Sequence, residues 1–589
     1  MKLPRISVKN KYTRRILGFG GLNTTENYSE GEFRECYGIS HLKFPMITQR
    51  QCMVKTGDFI SPEAAAFENK ECVVDSGKLY YDGKEVCETS AGEKQIALMN
   101  GYIMVFPDKI YYNTKTGETG KLYYEFDFSD ITVAFTESSI SVPDSNYVQR
   151  REEITDVFDG DDTVLTYTSV TTESGKNTFS GYASKKASLL AVDTIYRHNC
   201  RENEYKMVKS IAVSENTYTV LSDLIKTENN LESVFDNLRE GDCIEVSGCE
   251  TNAGNNKTAV IKGISGNTLS FDALTFTEGT ESAVVIKRKI PDFSFVCAYN
   301  NRLWGCEGNT IYASKLGDPF NFFYYSGLST DSFSVSSNAA GDFTAVVSYG
   351  SYLIFYKENK CYKLYGTRPS NFQLVESLAG GLKKEDRKSI AVMGNKIFYK
   401  GIDGVYVFYG GAAQRISEKI DTVKMENACG GADGFYYYLA ADTGEGRLLY
   451  VYDAERSLWS IAGETTAKDF AFYSGELHAL CDDGLFVIKR EEDEECSWSF
   501  TMCPINEKYH RTKSYSALYI CAKLSENSYI QVDVKIDDAP YRCAKIVRSV
   551  REKQIRIPVH IRSCGEITLR ISGKGKCVIE SIVREFAAN

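Results

Sequence analysis

A short apolar strand, a Gly/Asn/Asp turn, an aromatic strand and a polar loop recur along most of this chain. The unit begins at about Ala64 with "AAFENKECVVDSGKLYYDGKEV" and is followed by "KQIALMNGYIMVFPDKIYYNTKTG". After a long interruption comes "SFVCAYNNRLWGCEGNTIYASKLGDPFNF". Four more follow, "FTAVVSYGSYLIFYKENKCYKLYGTRP", "KSIAVMGNKIFYKGIDGVYVFYGGAAQRIS", "GGADGFYYYLAADTGEGRLLYVYDAERSLWSI" and "AKDFAFYSGELHALCDDGLFVIKR". They share a turn such as Asn300-Asn301, Tyr349-Gly350, Gly394-Asn395 or Ser474-Gly475, and a later one such as Asp403-Gly404 or Asp483-Gly484. Periods of about 30–45 residues with three or four short strands each are the pattern of propeller blades. One such blade cannot bury both of its faces, whereas blades stacked radially cover one another and leave only short edges. The repeat therefore predicts an all-β chain built on a β-propeller of about seven blades.

Two stretches sharpen the reading. In "YDAERSLW" (residues 452–459) a strand ends in Asp, a four-residue turn follows, and Trp459 opens the next strand. This is an outer blade turn with the Trp packed between blades, or an ordinary hairpin with a buried Trp. In "NRLWGCEGNTIYASKLGDPFNFF" (residues 301–323) there is no His, no nucleophile beside a base and no phosphate loop. Its aromatics Trp304, Tyr312, Phe320, Phe322 and Phe323 read as inter-blade packing. Gly317-Asp318-Pro319 is a turn that ends the strand, because Pro cannot continue a central ladder.

Residues 126–290 interrupt the repeat and are rich in Ser, Thr, Asn and Asp. Leu231, Val234, Phe235 and Leu238 fall at i, i+3, i+4 and i+7, which predicts an amphipathic helix closed by Arg239-Glu240-Gly241. "GDCIEVSGCETNAGNNKTAVIKGISGNTLSF" then reads as four strands of a small barrel or sandwich. The acidic run "EEDEE" (residues 491–495) cannot be a packed strand and marks a solvated junction or an acidic docking site. Beyond it, "YSALYICAKL", "SYIQVDVKID", "KQIRIPVHIR" and "EITLRISGKG" alternate with period two, as in an antiparallel sandwich. The expected organisation is an N-terminal arm with its first strands (1–60), the first blades (61–125), an inserted mainly-β domain (126–290), the remaining blades (291–490) and a C-terminal β-sandwich (491–589).

Composition narrows the function. A chain of 589 residues predicts two to four domains. With 39 Tyr and 31 Phe it favours strands. A formal charge of −10 argues against a protein that grips nucleic acid through its backbone. The 18 Cys form no CxxC pair, and His41, His198, His478, His510 and His560 are far apart, so zinc-site spacing is missing. Buried free thiols in a reducing cytosol are expected, not a disulfide framework. The basic start has no apolar segment after it to make a signal peptide, and no apolar run approaches a membrane span.

The remaining motifs are weak. "GFGGLN" (18–23) lacks the Lys-Ser/Thr of a phosphate loop. "DVFDGDD" (156–162) misses calcium-loop spacing. The triplets at Asn23 and Asn256 mean little without a secretory signal. No Gly-x-Ser-x-Gly, His-Glu-x-x-His or repeated Asp-box is present. The expectation is a protein without catalytic, cofactor-binding or metal-binding residues, and not an enzyme. The basic residues 2–15 form an arm for nucleic acid or an acidic neighbour, or a solvated terminus. Arg542, Lys545, Arg548, Arg551, Lys553, Arg556 and Arg562 form a solvated sheet face or a subunit contact.

Three segments carry a family resemblance. "GGLN", then "EGEFRECYGIS", then "FPMITQR" (44–50) resemble the opening of phage packaged-DNA stabilisation proteins. "NRLWGCEGNTIYASKLGDPFNF" is similar to a recognisable segment of the tail nozzle or tail tubular B proteins of tailed phages, in which "NRLF" precedes "GDP.NF". The C-terminal "QVDVKIDDAPY" and "ITLRISGKG" look like the end of those proteins. The resemblance covers about two-thirds of the chain and leaves residues 126–290 unmatched. It implies a virion protein at the head-to-tail interface, made in the host cytoplasm. That protein would form a ring, usually a hexamer, below the portal and adaptor, with a bore that holds double-stranded DNA in and later lets it through. A glycan-binding or glycan-cleaving propeller of a phage tail is the competing reading, and a cleaving one would need two facing carboxylates. An intracellular scaffold propeller is a third.

Overall fold

A computed structural model describes residues 11–50, 53–128, 131–143, 217–227, 234–272, 275–422, 424–488, 496–548 and 554–588, with short strands between residues 147 and 213. Strands joined by tight turns dominate. At Asn300 and Asn301 φ is 47° and 55°, at Asn100 and Gly101 it is 56° and 84°, and at Ser474 and Gly475 it is 51° and 85°. Positive φ at both central residues gives a turn whose twist matches the strands it joins, and Asn and Gly adopt it at least cost. The recurring turn chemistry of the sequence is therefore the geometry of the inner hairpins.

Among the described residues the seven sequence units form seven four-stranded sets. Six are runs of consecutive antiparallel strands, in residues 62–88, 95–121, 296–336, 343–377, 391–415 and 426–464. The seventh takes three strands from residues 469–488 and its fourth from Val54–Asp58, which pairs antiparallel with Gly484–Ile488. The first strands of successive sets lie side by side, with the helical turn Lys384–Ser389 bridging the fourth and fifth. Asp469–Tyr473 of the seventh lies against Pro62–Glu68 of the first, so the series closes on itself. The body is all-β and propeller-like. Its apolar residues collect in separate cores between neighbouring sheets. Cys72 and Leu79 meet Ile103 and Val105 between the first and second, and Ile354 and Tyr356 meet Ile397 and Tyr399 between the fourth and fifth.

Between the second and third sheets the described residues build four further sheets, two of them of three short strands each within residues 147–207 and two larger ones. One holds Tyr124–Asp127, Val285–Arg288, Cys243–Ser247 and Thr258–Val260. The other is centred on Val133–Pro143 paired along its whole length with Thr217–Thr227. They share a core of Phe128, Phe135, Ile225, Leu269 and Ile286. The expected helix is not formed where it is described: Leu231 lies outside the described residues, and residues 234–237 are turns. Phe235 and Leu238 are nonetheless buried in this core, so the helical spacing is met by a turn that points both inward. The Asp cluster of residues 156–162 lies almost wholly outside the described residues.

The last strands do not assemble alone. Phe33–Tyr37 pairs with Ser497–Met502 and, in parallel at Tyr37 and Ile461, with Leu458–Glu464 of the sixth sheet. One nine-stranded sheet thus runs from the sixth set through Phe33–Tyr37 and Ser497–Met502 to Ile567–Lys574, Tyr529–Ile536 and Arg542–Arg548. In a second sheet, Lys11–Ile16 and Ile47–Gln49 both pair with Cys577–Ala588, which continues to Lys513–Leu524 and Gln554–Cys564. Along Gln554–Cys564 exposed and buried residues alternate, as the period-two reading requires, with Arg556, His560 and Arg562 facing out. The N-terminal strands are therefore part of the terminal sheets, although the sequence reading separated residues 1–60 from 491–589. Local periodicity carries no record of partners so distant in the chain.

Residues 1–10 and the acidic run 491–495 lie outside the described residues, as do Arg551 and Lys553, while Lys11–Ile16 of the basic start is a paired strand. Among the described residues no helix is long and apolar enough to cross a membrane. Most described cysteines are free thiols, but Cys496 is disulfide-bonded, a departure from the all-thiol expectation that no cysteine spacing signalled.

Candidate functional site

The segments that carry the resemblance lie at joints. Gly21 runs against the backbone of Trp459, and the Leu22 N–H donates to the Trp459 carbonyl at 2.7 Å. A Cβ on Gly21 would lie 2.8 Å from the Trp459 N and O, so only glycine fits. Asn23 is fully buried and its Nδ2 donates to Glu32 Oε2 at 2.8 Å. Glu32 also accepts from the Ser29 N–H at 2.6 Å and from Lys419 Nζ at 2.6 Å. Burial pushes the Glu32 carboxyl up, but these donors outweigh it and hold its pKa below the ordinary value. "GGLN" and "GEF" are thus one buried knot that fixes the first strands to the sixth sheet. Burial also rules out the Asn23 triplet as an acceptor for glycans in the folded chain. Gln49 and Arg50 extend the same joint. Gln49 Oε1 accepts from the Cys577 N–H at 2.9 Å, and the Arg50 guanidinium lies 5.4 Å from the centre of the Tyr436 ring.

"GDPFNF" is a second joint. Phe320 and Phe322 pack with Met99, Met104 and Phe106, between the second and third sheets. Asn321 between them faces the inserted sheets. Its Oδ1 accepts from the Cys243 N–H at 2.8 Å, and its Nδ2 donates to Asp242 Oδ1 at 3.1 Å and to Asp318 Oδ2 at 2.7 Å. Asp242 also accepts from the Arg239 N–H at 2.9 Å and is paired with the Arg288 guanidinium, both side chains being buried. Burial drives the Asp242 carboxyl upward against the pull of Arg288. The Arg239 guanidinium stacks 3.7 Å from the Phe320 ring centre and donates to Tyr111 Oη at 2.9 Å. The aromatics were legible as packing, but the grip of Asn321 on a segment about eighty residues upstream was not.

The expected tryptophans are in place. Trp304 is buried, with Phe372 of the fourth sheet at 5.3 Å and Phe355 at 6.4 Å. Trp459 donates its Nε1–H to the Ile416 carbonyl at 2.8 Å, just beyond the fifth sheet.

A large cavity of about 1010 Å³ opens where the first strands of the sheets begin. Its wall is charged and comes from strands and turns of five of the sheets and the loops ahead of them. Arg387 and Lys388, ahead of the fifth sheet, both reach Glu93, ahead of the second, at 2.8 and 3.3 Å. Arg447 pairs with Asp442 in the sixth sheet at 2.7 Å, and Lys468 with Asp482 in the seventh at 2.7 Å. Glu63 of the first sheet takes the Gly92 N–H on Oε1 at 3.2 Å, while its buried Oε2 accepts no hydrogen bond. Burial works against the Lys388 ammonium, but Asp469 and Glu93 outweigh it and raise its pKa. Burial pushes Asp442 up, yet Asn427 and Arg447 hold it below the ordinary range. Burial pushes the Cys429 thiol at the wall up to about 12, so it is protonated and a poor nucleophile at neutral pH. The wall holds fixed charges of both signs and can orient a polar ligand.

The sequence reading named no catalytic, cofactor or metal residue, and it missed this cavity because the lining residues share no spacing. Among the described residues no group of three or more His, Cys, Asp or Glu is placed to hold a metal ion.

No protein-family model matches the chain, and no curated protein is similar to it. Solved structures are similar at low identity. An exo-β-1,3-galactanase of Phanerochaete chrysosporium is 11% identical over 48% of this chain and 94% of its own, with a TM-score of 0.20. Kluyveromyces lactis Hsv2 is 9% identical over 62% and 94%, with a TM-score of 0.22. A Trypanosoma rangeli sialidase is 8% identical over 91% and 95%, with a TM-score of 0.20.

Proposed function

We propose that this chain is a structural protein of a tailed-phage particle, the tail nozzle or hub. Copies of it form a ring, a hexamer by the family resemblance, below the portal and adaptor. The ring retains packaged double-stranded DNA and forms its exit channel. In this reading the seven sheets are seven blades of one propeller, residues 126–290 an inserted mainly-β domain, and the terminal sheets a β-sandwich.

One observation carries the proposal. The residues that resemble the nozzle family, Gly21, Asn23, Glu32 and Asn321, are buried fasteners between units. Such fastening suits a part that must transmit load without deforming. The net charge of −10 suits a passage along which DNA slides without sticking. A ring needs one face of a subunit to meet a different face of the next. Leu42 and Phe435, both exposed, line a groove of about 640 Å³ beside exposed Phe44 that is suited to such a contact. The test is made on particles: virions lacking the protein should package DNA and then leak it, with heads assembling normally. Particles that hold their genome and fail only at host attachment would refute the nozzle assignment.

The charged cavity favours a second reading, a glycan-binding propeller of a phage tail. Retention of host glycans by the purified protein, abolished when the cavity wall is altered, would put it first.

A further inference from the structure

We infer that the cavity at the start of the first strands binds an acidic saccharide, one carboxylate among several hydroxyls, and that Glu93 occupies the place of the ligand's carboxylate. The inference rests on the glycan-binding reading and deepens it.

The Arg387, Lys388 and Arg447 side chains are 18%, 19% and 19% exposed, whereas Glu93 and Asp442 are 54% and 45% exposed; Lys388 also reaches Asp469, 27% exposed, at 3.5 Å, and Lys468 and Asp482 are both solvated. At Glu93 and at Asp442 the cation forms the wall and the carboxylate faces solvent. Pairs with one solvated member contribute little to stability, so a fold gains little by bringing Arg387, Lys388 and Glu93 together from ahead of separate sheets. What the arrangement does provide is two semi-buried cations converging on one carboxylate that solvent can reach. A carboxylate entering from solvent can replace Glu93 on Arg387 and Lys388 and keep both cations satisfied.

The rest of the wall selects the class of ligand. Its acids are as many as its cations: Glu63, Glu93, Glu385, Asp442 and Asp482 stand against Lys384, Arg387, Lys388, Arg447 and Lys468. A nucleic acid or a polyglutamate segment would meet repulsion at the acids. A sugar acid would not, because its hydroxyls donate to carboxylates while its own carboxylate meets the cations. Glu63 Oε2, buried and without a donor, is an acceptor of that kind. Ser61, Asn427, Thr465 and Thr466 add neutral polar groups. Among the described residues no aromatic ring lines the cavity, so recognition there rests on charge and not on the stacking that neutral sugars use. The volume of about 1010 Å³ accommodates a short oligosaccharide.

The test uses the full chain and titration calorimetry with three probes: a tetrasaccharide of alternating glucuronate and N-acetylglucosamine, the same tetrasaccharide with its carboxyls reduced to alcohols, and a polyglutamate peptide. The acid saccharide should bind, and the reduced form at least tenfold more weakly. Arg387→Gln with Lys388→Gln should abolish the difference. Glu93→Gln removes the resident competitor and should tighten binding several-fold, a gain that a purely structural ion pair would not produce. Circular dichroism confirms that each variant is folded, and Glu93→Gln, which changes a solvated group, keeps the test informative if the double variant is not. Equal binding of the acid and reduced saccharides would overturn the inference and leave the glycan-binding reading standing. Binding of polyglutamate in preference to the saccharide, or binding of neither saccharide, would overturn both.

Discussion

Replacing Asp242 by alanine removes the carboxylate from a buried cluster and leaves its partners behind. Arg288, 1% exposed, keeps the Leu122 carbonyl at 2.9 Å but loses its counter-charge. The Arg239 N–H and Asn321 Nδ2 each lose an acceptor. Removing one member of a buried ion pair costs about 3–5 kcal/mol, because the other charge remains uncompensated. The lost hydrogen bonds belong to the same cluster and are contained in that figure. For units of this size each kcal/mol lowers Tm by about 2–4 °C, so the variant should melt roughly 6–20 °C lower. Scanning calorimetry with limited proteolysis locates the change. The inserted sheets should loosen first and be cut first, while the seven-sheet body keeps its transition. Asp242→Leu combined with Arg288→Met removes both charges and should recover most of the loss. A shift under 2 °C for Asp242→Ala, or a double variant less stable than the single one, would refute the assignment of this cluster as the fastener.

Three further outcomes are expected. Trp304→Ala, which empties a buried site facing Phe355 and Phe372, should cost about 3–5 kcal/mol in denaturant unfolding, and an unchanged midpoint would contradict inter-sheet packing. Gly21→Ala forces a carbon to within 2.8 Å of the Trp459 backbone, which has no flexible atom to yield, and should destabilise by about 1–3 kcal/mol; a neutral result in urea unfolding would mean the two segments are not in close approach. Glu32 has a folded-state pKa below its unfolded value, so its stabilisation is complete above pH 4.5 and is lost as pH falls through the lowered value. The stability gap between wild type and Glu32→Gln should therefore be flat near neutrality and narrow below pH 4.5, and a gap that widens in acid would reverse the sign of the argument.

The repeat was legible because the inner hairpins turn on Asn, Ser and Gly at positive φ and every sheet needs apolar faces. The fourth strand of the seventh sheet was not, since "VKTGD" at Val54–Asp58 has no apolar alternation and carries a glycine; its place is set by its pairing with Gly484–Ile488. Helical spacing at Val234, Phe235 and Leu238 was misread because two inward apolar residues three apart fit a turn as well as a helix. The joints were visible as motifs but not as contacts. Asn23 and Asn321 look like ordinary turn residues until their partners Glu32 and Asp242 are known. The cavity left no trace, because charges drawn from five sheets are scattered along the chain and share no spacing.

Closing the seventh sheet with Val54–Asp58 sets a timetable for the ribosome. The strand and its partner are more than four hundred residues apart, so at synthesis rates of about 5–20 residues per second the early strand waits roughly 20–90 s for its place to exist. During that interval a neighbouring chain on the same message offers the same place, Gly484–Ile488, and the same kind of strand. Pairing with the neighbour would close its ring and leave the first chain open, an exchange that propagates from copy to copy. Expression at low density on the message, or a circular permutation that begins at Ser61 and joins Asn589 to Met1 so that Val54–Asp58 is made after Gly484–Ile488, should therefore raise the yield of single, closed molecules.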